Sequence, residues 1–140
     1  MGDVYVEIIL ENYRDKVLSE SGYLEPQKVH VEKVRALVDS GSTMLVLPQD
    51  LVEKLGLRIT DKKVIVTYAD ERKEERNVAE ILTVMVAGRN MECDCVVNPP
   101  ATESPLGQII LERLDLLVDS KEGKLVPRPE SPYLPMLKMK

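Results

Sequence analysis

Apolar residues in this chain come in short runs or strict alternation, separated by turn-forming residues, and that period predicts strands far more often than helices. Val4 to Leu10 alternates and then runs apolar, as an outer strand would, and Glu11-Asn12 ends it. Asn12 to Gln27 is polar, holds Gly22 and Pro26, and reads as an insertion or hairpin loop. Val29 to Val38 leads as a strand into Asp39, and Leu45-Val46-Leu47 is a short buried strand. Pro48 sits near a helix start, with Leu51, Val52 and Leu55 on one face and Gly56 at the end.

The second half continues the pattern. Lys63 to Tyr68 and Val78 to Val86 read as strands around the charged segment Ala69 to Arg76, which predicts a protruding hairpin. Ala87 to Asn90 turns the chain into Met91 to Val97, and Asn98 to Pro105 is a rigid, proline-rich loop. Gln108 to Leu114 has the spacing of a short helix, followed by a hairpin of Leu116-Leu117-Val118 and Lys124-Leu125-Val126 around Glu122-Gly123. Residues 127–140 carry Pro127, Pro129, Pro132 and Pro135 and are expected to be extended. Leu134, Met136, Leu137 and Met139 in this tail either dock on a neighbouring surface or fray with it.

Composition narrows the picture. At 140 residues the chain suits one domain, which buries roughly two thirds of the surface of its unfolded form. With no Trp, no Phe and 5 Tyr, the core must be aliphatic. A net charge of −5, with basic and acidic residues interleaved, excludes a phosphate-binding face, so nucleic acid is not an expected partner. No apolar stretch reaches the ~20 residues that span a bilayer, and the acidic start at Asp3 is unlike a secretory leader, so the expectation is a cytoplasmic protein without a membrane partner. Gly2 invites N-myristoylation, but Val6 stands where that signal needs Ser or Thr. Cys93 and Cys95 share a strand face with Met91 and Val97 and read as buried free thiols, while His30 reads as a solvated strand residue. Neither belongs to a metal-ligand set, and no metal or cofactor is expected.

The candidate chemistry lies in Ala36-Leu37-Val38-Asp39-Ser40-Gly41-Ser42-Thr43, where an apolar run delivers one carboxylate into a turn of small residues. Gly41 tolerates a close backbone approach and can offer an N–H to the charged oxygen. Asp-Ser-Gly alone also marks ordinary turns, so its context decides. That context is Leu106-Gly107 ahead of Gln108 to Leu114. Together these pieces resemble the retroviral-type (retropepsin-like) aspartic proteases, in their small cellular single-domain form, over a stretch from about Val4 to the tail.

The resemblance implies an all-β, acid-protease closed barrel with one or two short helices and an active site formed at a homodimer seam. It implies a protease domain over 1–126 followed by the tail 127–140, and hydrolysis of polypeptide by an aspartic endopeptidase. Asp39 of each subunit would be catalytic and activate a water. Ser40, Gly41, Ser42, Thr43, Leu106 and Gly107 would support the active-site loop. Tyr68, Ala69, Asp70, Glu71 and Arg72 would form the substrate-binding flap, although this tip lacks the usual glycine; a solvated charged turn is the plainer reading, and the two are compatible. The alternative function is a non-catalytic peptide-binding or scaffolding domain of the same fold. Leu117-Val118-Asp119-Ser120 echoes the first triplet, but Lys121 stands in the place of Gly41, so Asp119 reads as a turn acid.

Overall fold

The computed structural model describes residues 3–139, so Gly2, weighed above for N-myristoylation, lies outside the described residues. Its strands are β1 (Tyr5–Asn12), β2 (Val31–Val38), β3 (Val46–Pro48), β4 (Arg58–Thr67), β5 (Lys73–Val86), β6 (Arg89–Asn98), β7 (Pro105–Leu106), β8 (Leu116–Asp119) and β9 (Lys124–Pro127). The helices are α1 (Tyr13–Glu20), α2 (Gln49–Lys54) and α3 (Gln108–Leu114), with a 3₁₀ turn at Pro26–Lys28.

Seven strands form one sheet in the order β3-β6-β5-β1-β2-β7, with β4 added beside β5. The terminal strands β3 and β7 touch, so the sheet nearly closes into a barrel. Most pairs are antiparallel, which suits short connections. The two parallel pairs are short: β3 with β6, and β2 with β7, where Leu37 faces Pro105 and Val38 faces Leu106. Inside, Ile8, Leu10, Leu45, Leu47, Leu82, Leu106 and Ile110 are fully or almost fully buried, giving the aliphatic core expected from the composition. Hairpin β8–β9 stands apart as a separate two-stranded sheet.

The segment expected to be a polar loop after Asn12 is instead helix α1. It buries no residue, so no apolar stripe announces it. Its start is set by Asn12, whose side chain accepts the Asp15 N–H at 3.0 Å. The same side chain donates to Leu55 O at 2.8 Å and Gly56 O at 3.2 Å, tying the helix start to the end of α2. His30 lies just before β2, exposed, with Nδ1 2.6 Å from Asp15 Oδ2.

The β4–β5 hairpin is longer than expected. Thr67 pairs with Lys73, so much of the charged segment belongs to β5 and only Tyr68 to Arg72 forms the tip. The tail after Pro127 is neither helix nor strand, yet it is tied down. Arg128 donates to Asp115 Oδ1, the Ser131 hydroxyl donates to Asp115 Oδ2, and the Met136 N–H donates to the same oxygen at 2.8 Å. Asp115 follows α3 in the left-handed conformation at φ 57°. Buried Arg89 completes the knot by donating to Leu114 O at 2.8 Å, Asp115 O at 3.0 Å and Ser131 O. Among the described residues no helix is long and apolar enough to cross a membrane.

Candidate active site

Strand β2 carries Asp39 out of the core beside β7. The Leu37 N–H donates to Ser104 O at 3.0 Å and the Asp39 N–H to Leu106 O at 3.1 Å, so the parallel ladder continues into the first residue of the loop. Small residues then let the chain reverse. The Ser42 N–H donates to Asp39 O at 3.0 Å, and the Gly41 N–H donates to Asp39 Oδ1 at 3.0 Å. The carboxylate is thus oriented by its own loop, in the way the spacing of Asp39 and Gly41 suggested. Asp39 is half-buried, whereas Ser40, Gly41 and Thr43 are exposed.

Helix α3 supports this loop from below. Its first N–H groups lack partners within the helix, and the loop carbonyls supply them. The Gln108 N–H donates to Ser42 O at 2.7 Å and the Ile109 N–H to Thr43 O at 3.3 Å. Close approach requires Gly107: a Cβ there would lie 2.7 Å from Ser42 O, 2.8 Å from Met44 O and 2.8 Å from Thr43 C. These are backbone atoms that cannot move aside as a side-chain end can, so no other residue fits without displacing the loop. The Ser42 hydroxyl turns inward and donates to Met44 O at 3.0 Å. Hydrogen bonds therefore join Asp39, Gly41, Ser42 and Thr43 to Leu106 and the start of α3, with Gly107 packed against the loop and Ser40 exposed on it, although Leu106 and Gly107 lie far along the chain from the others.

The hairpin tip is a second unit. The Tyr68 N–H donates to Arg72 O at 2.9 Å and the Glu71 N–H to Tyr68 O at 2.9 Å. Glu71 takes the left-handed conformation at φ 67°, where a glycine would be unstrained. The Arg72 guanidinium lies over the Tyr68 ring, 4.5 Å from its centroid, and the Tyr68 hydroxyl donates to Asn98 Oδ1 at 3.4 Å. Ala69, Asp70, Glu71 and Arg72 are exposed and Tyr68 is half-buried. Side-chain contacts at Tyr68 thus fix a tip that has no glycine.

Other candidate groups are chemically quiet. Burial pushes the thiols of Cys93 and Cys95 up to about 12, so both stay protonated at neutral pH and are poor nucleophiles. Among the described residues no cluster of three or more His, Cys, Asp or Glu could hold a metal ion. Asp119 accepts the Glu122 N–H at 3.0 Å and so stabilises the β8–β9 turn. The buried knot of Asp115, Arg89 and Ser131 escaped the sequence reading; its one local signal is an Asp just past a helix end, a place that favours left-handed backbone.

A family model described as "gag-polyprotein putative aspartyl protease" matches residues 27–113, a span holding the Asp39 loop, the hairpin tip and Gly107. Among solved structures the chain is similar to the retroviral protease-like domain of Ddi1 from Leishmania major, at 19% identity and a TM-score of 0.56, over 99% of this chain and 92% of that one. It is also similar to the protease of Simian Foamy Virus (mac), at 22% identity and a TM-score of 0.42, over 56% of this chain and 80% of that one. The first likeness shows the shared fold. No curated protein matches the chain in sequence.

Proposed function

The chain belongs to the gag-polyprotein aspartyl protease family, and we propose that it hydrolyses peptide bonds as a homodimeric aspartic endopeptidase, with Asp39 from each subunit and an activated water. The observation that carries this reading is the Asp39 loop. It is rigidly seated on Gly107 and α3, yet the carboxylate accepts a single hydrogen bond from its own subunit among the described residues. The acid keeps the capacity to accept from a water and to share a proton.

The chemistry requires a pair. Two carboxylates about 3 Å apart cannot both ionise, so they hold one proton between them. The ionised member takes a proton from the water as the water attacks the scissile carbonyl. The protonated member donates to the carbonyl oxygen, giving a tetrahedral intermediate, and proton return to the amide nitrogen releases the product. One chain supplies one such loop, so a two-fold axis beside Asp39 supplies the second. Ser40 hydrogen-bonds across that axis, Gly41 orients the carboxylate, and the hairpin tip from Tyr68 to Arg72 covers the polypeptide. The protease domain is residues 1–126, with 127–140 as its tail.

Hairpin β8–β9 supports self-association. Within one subunit β8 pairs with β9 alone among the described residues, leaving its other edge open. Leu117 and Val118 on it are 44% and 38% exposed, and Ile109 of α3 is 48% exposed. An open apolar strand edge is a liability unless it is paired. A second reading, peptide binding without turnover, draws on the glycine-free tip held by Tyr68 and Arg72.

Incubation of the purified protein with unstructured polypeptide between mildly acidic and neutral pH separates the two. Cleavage that pepstatin-type inhibitors stop is the expected result. Saturable binding of the polypeptide with no cleavage would favour the second reading.

A further inference from the structure

Strand alternation gives the barrel wall that follows the Asp39 loop two faces. Leu45, Leu47, Ala79, Cys95 and Val97 belong to the core. Between them Val46, Val96 and Val78 stand in one row across β3, β6 and β5 on the other face, with Val96 and Val78 buried and Val46 half-buried. Neighbouring strands lie about 4.8 Å apart, so the row reaches about 10 Å from the segment that leaves the Asp39 loop. Arg76 lies two residues from Val78 on the same face of β5, and Asn98 two residues from Val96 on β6. The β4–β5 hairpin turns this face inward: Val64 and Val66, opposite Arg76 and Glu74, are half-buried, whereas Ile65 is 69% exposed. The Tyr68 hydroxyl joins the two sides, accepting from Arg76 Nη2 at 3.4 Å and donating to Asn98 Oδ1 at 3.4 Å.

The charge on this face is unbalanced. Glu74 gives one oxygen to each of two guanidiniums, Oε2 to Arg76 Nη2 and Oε1 to Arg72 Nε at 3.5 Å. Two cations thus share one anion, in a chain whose net charge is −5. Arg76 is also poorly supplied with acceptors: Nη1 donates to Glu75 O at 3.4 Å, and Nε is buried with no partner among the described residues. A buried donor left unpaired is costly, and a carboxylate is the acceptor that suits a guanidinium best. The Arg76 side chain remains 22% exposed, so an incoming group can reach it.

We propose that Arg76, kept electropositive because Arg72 shares Glu74 with it, selects polypeptides that carry an Asp or Glu side chain near the scissile bond, a preference that rests on the peptidase reading above and on its placement of the hairpin over the substrate. The row of Val46, Val96 and Val78 takes apolar parts of the polypeptide, and the acid pairs with Arg76 at its end. An extended chain rises about 3.3 Å per residue, so the selected acid lies within about four residues of the bond that is cut. Burial under the hairpin makes the ion pair stronger than one on an open surface.

The test begins by mapping the bonds that the full-length protein cuts in an unstructured polypeptide, at about pH 6, where substrate Glu side chains are ionised. Synthetic peptides around the best site are then compared in pairs, with the flanking Glu or its isosteric Gln. In the wild type kcat/KM should be at least about tenfold higher for the Glu peptide. Arg76→Gln should bring that ratio to about one, Arg76→Lys should restore part of it, and Glu74→Gln, which removes the competing anion, should raise it. The wild-type ratio should also shrink as salt rises from about 0.05 M to about 0.5 M, a measurement that needs no variant to fold. Cleavage with no preference for acid-flanked bonds, or a preference that survives in Arg76→Gln, would overturn the role of Arg76 while leaving the peptidase standing. No cleavage of any polypeptide would overturn the peptidase reading itself, and the preference with it.

Discussion

Asp39 and Asp115 are both aspartates at the end of a regular element, and they differ in how far their own subunit satisfies them. Asp115 is buried and saturated: a hydroxyl, a guanidinium and a backbone N–H converge on its carboxylate. The Ser131 hydroxyl and the Arg128 guanidinium, with the Met136 N–H, hold its pKa down to about 2. Asp39 is half-buried and receives one N–H from Gly41. A carboxylate completed by its own fold is committed to holding that fold. One left incomplete, on a loop that neighbouring backbone makes rigid, is available for chemistry. The two sites lie at opposite ends of α3, whose first turn carries the Asp39 loop and whose last residue precedes Asp115.

The sharpest way to break this contrast is to neutralise each acid in turn. Asp39→Asn should lower peptidase activity by at least about 10²–10⁴-fold, since an amide cannot share the dyad proton or act as base. Its thermal midpoint should match that of the wild type. Asp115→Ala should do the reverse in kind, lowering the thermal midpoint more than substitution at Asp39, Gly107 or Asp119. The dilute, unassembled subunit reports this without the dimer equilibrium. Equal loss of activity at saturating protein concentration in both variants would erase the distinction.

The pH dependence of stability sharpens it. The folded pKa of Asp115, about 2, lies below its ordinary value of 3.8. Its ionised form therefore stabilises the fold above about pH 4, and this contribution is lost as pH falls through about 2. Thermal unfolding between those limits should show a component that Asp115→Asn removes and Asp39→Asn leaves in place. A smaller effect is expected at the support of the loop. Gly107→Ala forces a methyl against backbone carbonyls and should cost about 1–3 kcal/mol, with activity falling because the Asp39 loop shifts. Smallest of all, Asp119→Asn keeps an acceptor for the Glu122 N–H and should change stability by no more than about 0.5 kcal/mol, as read from chemical denaturation.

What could be read from the sequence follows the range of the interactions. The strands were legible because alternation is a local property, and the Asp39–Gly41 contact because it spans two residues. Gly107 was legible only through resemblance: its partners, Ser42 to Met44, are brought to it by the pairing of β2 with the two-residue strand β7. Helix α1 was missed because it has no buried face and depends on Asn12, a residue that equally suits a turn. The Asp115 knot was missed because Arg89 and Ser131 are distant in sequence, and nothing near any one of them points to the others. Proline composition led to the expectation of an extended tail; residues 128–139 form neither helix nor strand, and nothing in that composition signalled their anchoring at Asp115.

The central claim is that one active site takes an Asp39 from each of two subunits, and mixing subunits tests it most directly. Wild-type protein and Asp39→Asn, equilibrated together at concentrations where all subunits are paired, form wild-type, mixed and variant dimers. If the dyad is shared, mixed dimers are inactive, and an equal mixture retains about one quarter of the activity of the same total amount of wild type. Activity of about one half, falling linearly with the wild-type fraction, would mean that each subunit works alone and would contradict the account.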